Sequence, residues 1–165
     1  MEAAEMAGWS DFFVAAAGAA GALAGLVIVA VSINLVRILE LPGVPERAAE
    51  VVILLSGTLA GTLVCLVPHL SPGWRAVALG AVALPTWLVP VVIQYQSIRQ
   101  GTYYRVSNAV VRCVLHQVAT LPGMLAALGL AGLIPGGVAW FALDAIASML
   151  VAMFTAWVLL IEILR

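Results

Sequence analysis

The chain contains no lysine, and charge of either sign is scarce: seven arginines and eight acidic residues make up 9% of the sequence and leave a net charge of −1. Without lysine there is no Schiff-base residue, no lysine nucleophile and no phosphate-binding loop of the GxxxxGK type. Without a basic surface there is nothing to attract nucleic acid, which is excluded as a partner. Cysteine and histidine number two each. They fall in two pairs, Cys65 with His69 and Cys113 with His116, at spacings that suit a helix face and invite a tetrahedral metal site. The expected depths of the two pairs differ by roughly 15 Å at the helical rise. That separation excludes a shared metal, a bis-histidine haem and a disulfide, whose Cα atoms must lie within about 7 Å. The motifs HExxH, GxSxG and CxxC are also missing. The expectation is therefore a non-enzymatic protein with no catalytic residues, no metal and no cofactor.

What the sequence has in excess is apolar length. Its hydrophobic content is 64% and its mean hydropathy +1.16, against roughly 45–50% apolar residues in soluble domains. A helix needs roughly 20 apolar residues to cross the hydrocarbon core, and five segments pass: residues 12–36, 47–67, 72–98, 107–133 and 138–165. Ser10 and Asp11 suit the start of the first, Pro45 and Glu46 the first turn of the second, and Ser71 the cap of the third. Pro135-Gly136-Gly137 divides the last two. The predicted fold is all-α, a polytopic membrane helix bundle of five transmembrane helices in a single integral membrane domain; four spans with one interfacial segment is the competing count.

Acidic residues Glu2, Glu5 and Asp11 precede the first span, the wrong charge for a secretory signal, so that span is expected to be retained. With the N-terminus outside, Arg37, Arg47, Arg99, Arg105, Arg112 and Arg165 lie at cytoplasmic ends and only Arg75 outside, as the positive-inside rule requires. Trp9, Phe12, Phe13, Trp74, Trp140 and Phe141 are expected in the outer aromatic belt, and Tyr95, Tyr103 and Tyr104 in the inner one. An alanine-rich, arginine-only composition suggests a GC-rich bacterial genome, and hence a bacterial plasma (inner) membrane with the C-terminus cytoplasmic.

Small residues let helices approach closely in lipid. Gly18, Ala22, Gly25 and Val29 share one face of the first span, and the second carries Gly57 and Gly61; packing within the bundle is the favoured use, dimerisation the alternative. Pro85 and Pro90 in the third span and Pro122 in the fourth each remove a ladder donor, either as packing kinks or as the interrupted helices of a transport path.

Polar residues inside the membrane are functional candidates. Arg112 and His116 lie roughly 10 and 16 Å inward of Arg105 on one helix face, and Glu50, Gln94 and Asn34 reach comparable depth. These five form a candidate cytoplasmic-half pocket with Glu50 as the partner of Arg112. In the alternative, Arg112 snorkels to the headgroups, Glu50 stays interfacial and His116 bonds to backbone. Asp144 is a candidate ion or proton site, although its position one turn below Trp140 favours a hydrated carboxylate near a helix start. Glu162 is expected at the inner surface.

The segment AGALAGLVIVAVSINLVRILELPGVPERAAE, residues 20–50, resembles a family of small, largely uncharacterised actinobacterial membrane proteins, through VSINL at 31–35, the PG turn and the arginine-containing second-helix start. The resemblance implies membrane location and the orientation of the first hairpin. Some members carry the description of membrane-protease modulator. With no strong site in the sequence, the expected function is that of an accessory or interaction protein; the alternatives are a small oligomeric channel or transporter using the polar pocket and, from the resemblance, a protease modulator. Expected partners are membrane lipids, a second copy or other membrane proteins.

Overall fold

The computed structural model describes the backbone of residues 2–100 and 106–164, and side chains from 8–100 and 109–163. Tyr103, Tyr104, Arg105 and Arg165 lie outside the described residues. The elements are α1 (Glu2–Ile33), α2 (Leu35–Glu40), α3 (Val44–Leu66), α4 (Pro72–Arg99), α5 (Val106–Leu130) and α6 (Gly137–Leu164). Five of them, all but α2, are long and apolar enough to cross a membrane. The molecule is an all-α bundle whose surface carries large apolar side chains such as Leu26, Ile33, Val77, Leu150 and Trp157, as lipid contact requires.

Local chemistry fixes most helix ends. Gly43 takes a left-handed conformation (φ 79°) before α3, with Pro45 and Glu46 in the first turn, where a missing N–H and a carboxylate both suit the terminus. Ser71 caps α4 by accepting from the Trp74 N–H at 3.5 Å. α5 stops at Leu130, three residues before its expected end, because Gly132 (φ 78°) turns the chain left-handed. Leu133 N–H then donates back to the Leu128 carbonyl at 3.0 Å, closing the helix in the manner of a glycine C-cap. At the other end of the chain, Ser10 and Asp11 do not cap anything: α1 begins at Glu2 and runs through them. Asn34 interrupts that helix, its amide donating to the Ala30 carbonyl of its own preceding turn at 2.9 Å.

Helices α3, α4, α5 and α6 form a ring in that order, each packed on the next and α6 closing onto α3, while α1 lies against α3 and touches α6. α3 and α5 therefore face one another across the ring. One end of the bundle carries Arg37, Arg47 and Arg99 and is termed the arginine end; the other carries Trp9, Trp74 and Trp140 and is termed the tryptophan end. Two apolar clusters fill the interior. Val44, Val51, Leu54, Leu55, Leu159 and Ile163 pack toward the arginine end, and Phe13, Cys65, Leu79, Ala126 and Phe141 toward the tryptophan end. Between them lie the buried hydroxyls of Thr58, Thr62, Thr120 and Ser148.

Two expectations need correction. Phe13 (0% exposed) and Phe141 (2%) are not belt residues but a core pair, with ring centroids 5.9 Å apart. In addition, the α1 face that packs is Phe13, Ala16, Ala20 and Ala24, whereas Gly18 and Gly25 look onto open space. The α3 glycines do serve close approach: a methyl group at Gly57 would overlap Thr86 of α4, and one at Gly61 the Phe141 ring of α6. Gly61→Ala is accordingly expected to destabilise the detergent-solubilised protein by about 1–3 kcal/mol through overpacking, and Gly25→Ala to leave its thermal unfolding unchanged; the melting curves of the two variants check both.

Candidate functional site

Three helices each bring a polar stripe to one place. On α3, Arg47, Glu50 and Leu54 share a face by their 3- and 4-residue spacing; on α5, Arg112, His116 and Thr120 do the same. On α6 the stripe runs Asp144, Ser148, Val151, Thr155, Val158 and Glu162, alternating four and three residues along one side of the helix. Toward the arginine end these stripes enclose a cleft of about 280 Å³ between α3, α5 and α6. Arg47, Glu50, Arg112, His116, Phe154 and Glu162 are among its lining residues. Val111 and Phe154 are exposed at its rim, while Glu50 (5% exposed) and His116 (3%) are buried.

Two ion pairs cross this cleft. Arg112 donates from Nε to Glu50 Oε2 at 2.8 Å, and its Nη2 stands 2.7 Å from Oε1, the two-pronged geometry that suits a guanidinium to a carboxylate. Because α3 and α5 lie diagonally opposite in the ring, this pair spans the bundle axis. Arg47 Nη1 lies 2.7 and 2.6 Å from the two carboxylate oxygens of Glu162, tying α3 to α6 nearer the mouth. The second pair is the more exposed, with side chains 21% and 39% accessible against 12% and 6% for Arg112 and Glu50.

One turn deeper, His116 Nε2 lies 3.1 Å from the Trp87 carbonyl. A carbonyl only accepts, so this contact assigns a proton to Nε2. Trp87 lies between Pro85 and Pro90, where two ladder donors are missing from α4, and its indole N–H donates to Gln117 Oε1 at 2.9 Å. Two prolines thus flank the turn of α4 whose Trp87 carbonyl meets a side chain from α5.

Asp144 is not the hydrated interfacial carboxylate that its place near a helix start suggested. It is 8% exposed and accepts the Gly123 N–H at 2.9 Å. Ser148, one turn further along α6, donates to the Ala119 carbonyl at 3.1 Å. In an α-helix the Gly123 N–H would pair with that same Ala119 carbonyl, so both ends of this rung, beside Pro122, receive a partner from α6. A cavity of about 10 Å³ adjoins Asp144, lined also by Gly57, Thr86, Thr120 and Phe141.

Of the five residues expected to share a pocket, Glu50, Arg112 and His116 line the cleft. Gln94 is buried (2% exposed) and lies beside the Glu50 carboxylate, behind the cleft wall. Asn34 is not part of the group: its amide is committed to α1 at the junction with α2. Arg47 and Glu162 belong to the cleft although sequence reasoning placed them at helix ends; the signal was the polar stripe of α6, four polar residues on one side of an otherwise apolar helix. Cys65 packs in the tryptophan-end core and Cys113 sits next to Arg112 in the arginine half, so the two Cys–His pairs sit in opposite halves.

Removing one member of a buried ion pair leaves an uncompensated charge, at a cost of about 3–5 kcal/mol, whereas an exposed pair contributes about 0–1 kcal/mol. Glu50→Gln should therefore destabilise strongly, Glu162→Gln slightly, and Glu50→Gln combined with Arg112→Met should recover much of the loss; a double-mutant cycle on unfolding in detergent measures all three. No protein-family model, curated protein or solved structure matches the chain.

Proposed function

We propose that this protein is a small channel or transporter of the membrane, admitting solute from the arginine end, which the positive-inside rule makes cytoplasmic. One observation carries the reading: polar groups follow the bundle axis from Glu162 through the Glu50–Arg112 pair, His116 and Thr120 to Asp144, and there an aromatic pair stops them. Eighteen residues of α6 separate Glu162 from Asp144, about 27 Å at the helical rise. Beyond Asp144, the Phe141 ring packs over Gly61 of α3, and Phe13 of α1 stacks behind it. A polar path open at one end and sealed by packed rings at the other is the form expected of a gated pathway. Buried polar groups in a membrane bundle are otherwise costly. Five spans are few for a monomeric carrier, so the reading includes assembly of several copies.

A second reading, an accessory protein that acts by contact, rests on the outward face of α1. Gly18, Ala22 and Gly25 lie there exposed, with open space above both glycines. A surface that permits close helix approach serves either self-assembly or a different membrane partner, including the protease suggested by the resemblance.

Flux separates the two. Liposomes holding the purified protein are expected to dissipate imposed proton, sodium, potassium or chloride gradients faster than protein-free vesicles. His116→Ala should slow the flux and Phe141→Ala should speed it. If none of the four gradients decays above background for either wild type or Phe141→Ala, the pathway reading fails and the contact reading stands in its place.

A further inference from the structure

The polar groups around the small cavity beside Asp144 share an unusual feature: their donors are already used. Thr86 donates its hydroxyl proton to the Val82 carbonyl at 2.8 Å, and Thr120 donates to the His116 carbonyl at 2.8 Å. Each hydroxyl oxygen keeps lone pairs and has no second proton to give. Asp144, when ionised, only accepts, and among the described residues the bond it receives is from the backbone N–H of Gly123. Gly57, Val82, Ala83 and Phe141 complete the walls, and their side chains add no donor. The cavity, about 10 Å³, is the size of one water or one small ion.

No compensating cation reaches it from the described residues of any neighbouring helix. On α5 the nearest titratable group is His116, one turn from Thr120; Arg112 lies a turn further and is engaged with Glu50. On α3, Glu50 stands seven residues from Gly57, about 10 Å along the helix. Cys65 is eight residues away on the other side, in the apolar cluster. On α4, Arg75 is eleven residues from Thr86, about 16 Å along the helix, and it points to the Val67 carbonyl. On α1, Asp11 is exposed, and on α6 Glu162 is tied to Arg47. A carboxylate among acceptors in a low-dielectric interior is tolerated only with a positive partner.

We infer that Asp144, Thr86 and Thr120 form a binding site for one compact monovalent cation, a proton or a sodium ion. A proton forms an O–H bond on the carboxylate and donates to a threonine oxygen; sodium is held by the same oxygens directly. The site is an equilibrium property of the fold and does not depend on the protein conducting anything, so its test is separate from flux.

The test is the thermal unfolding of the full-length protein in detergent. It is recorded from acidic to alkaline pH in choline chloride, and at alkaline pH with sodium or potassium chloride replacing choline. A sodium site raises the unfolding temperature by several degrees with sodium and not with choline. A proton site raises it on acidification with no sodium effect. In either case the shift disappears in Asp144→Asn, whereas any response due to His116 or Glu50 persists in that variant and is subtracted. Should Asp144→Asn fail to fold, Thr86→Val and Thr120→Val serve instead: each removes one acceptor at constant size and is expected to move the sodium or proton midpoint roughly tenfold. The proposal is overturned if wild type responds to pH and to sodium as Asp144→Asn does, or if neither threonine variant moves the midpoint.

Discussion

Glu50 and Arg112 meet across the axis of the helix ring, and the arginine half of the bundle is arranged around keeping them together. A guanidinium and a carboxylate withdrawn from water hold their charges only while paired. Lipid offers no hydrophobic drive between helices, so a strong directional contact between the two diagonal members carries more weight here than in a soluble bundle. The pair fixes the rotation of α3 and α5, and the rotation decides everything in register with it. With Glu50 on the axis, Gly57 and Gly61 face α4 and α6, where Thr86 and Phe141 fill the space a side chain would take. With Arg112 on the axis, His116, Thr120 and Gly123 follow along α5.

Proline and small residues then make the interior polar without leaving backbone stranded. Pro90 and Pro122 each remove a ladder donor, and nearby carbonyls and amides are taken up by side chains of the facing helix: Trp87 by His116, Ala119 by Ser148, the Gly123 amide by Asp144. The two apolar clusters divide the work. The arginine-end cluster is built mainly of aliphatic side chains and leaves a cleft beside it; the tryptophan-end cluster includes two phenylalanines in ring contact and closes the axis.

Composition and turn chemistry made the helical architecture legible, because a run of apolar residues bounded by Pro, Gly and Arg has few other meanings. The pairing of Glu50 with Arg112 was only one of two readings the residues left open: the structure forms that pair, while His116 bonds to backbone as the competing reading had it. Rotation about each helix axis was not legible. In water, amphipathic periodicity announces the buried face; in lipid both faces are apolar, so Phe13 and Phe141 passed for interfacial aromatics and the outward face of Gly18 and Gly25 for a packing seam. Asp144 illustrates the same limit: its depth suggested hydration, and only the packing of α5 against α6 reveals that it is enclosed. Asn34 was misplaced for a different reason, since a side-chain amide can satisfy itself on its own helix and need not seek a neighbour.

Access to the axis is where these features converge, and a membrane-impermeant thiol reagent measures it most directly. In a Cys65→Ser, Cys113→Ser background, Thr155→Cys on the cleft wall should be labelled from the arginine side alone, and Ala126→Cys in the tryptophan-end core from neither side. Labelling of Thr155→Cys from both sides, or from none, would contradict a bundle opened at one end by its ion pairs and sealed at the other by its phenylalanines.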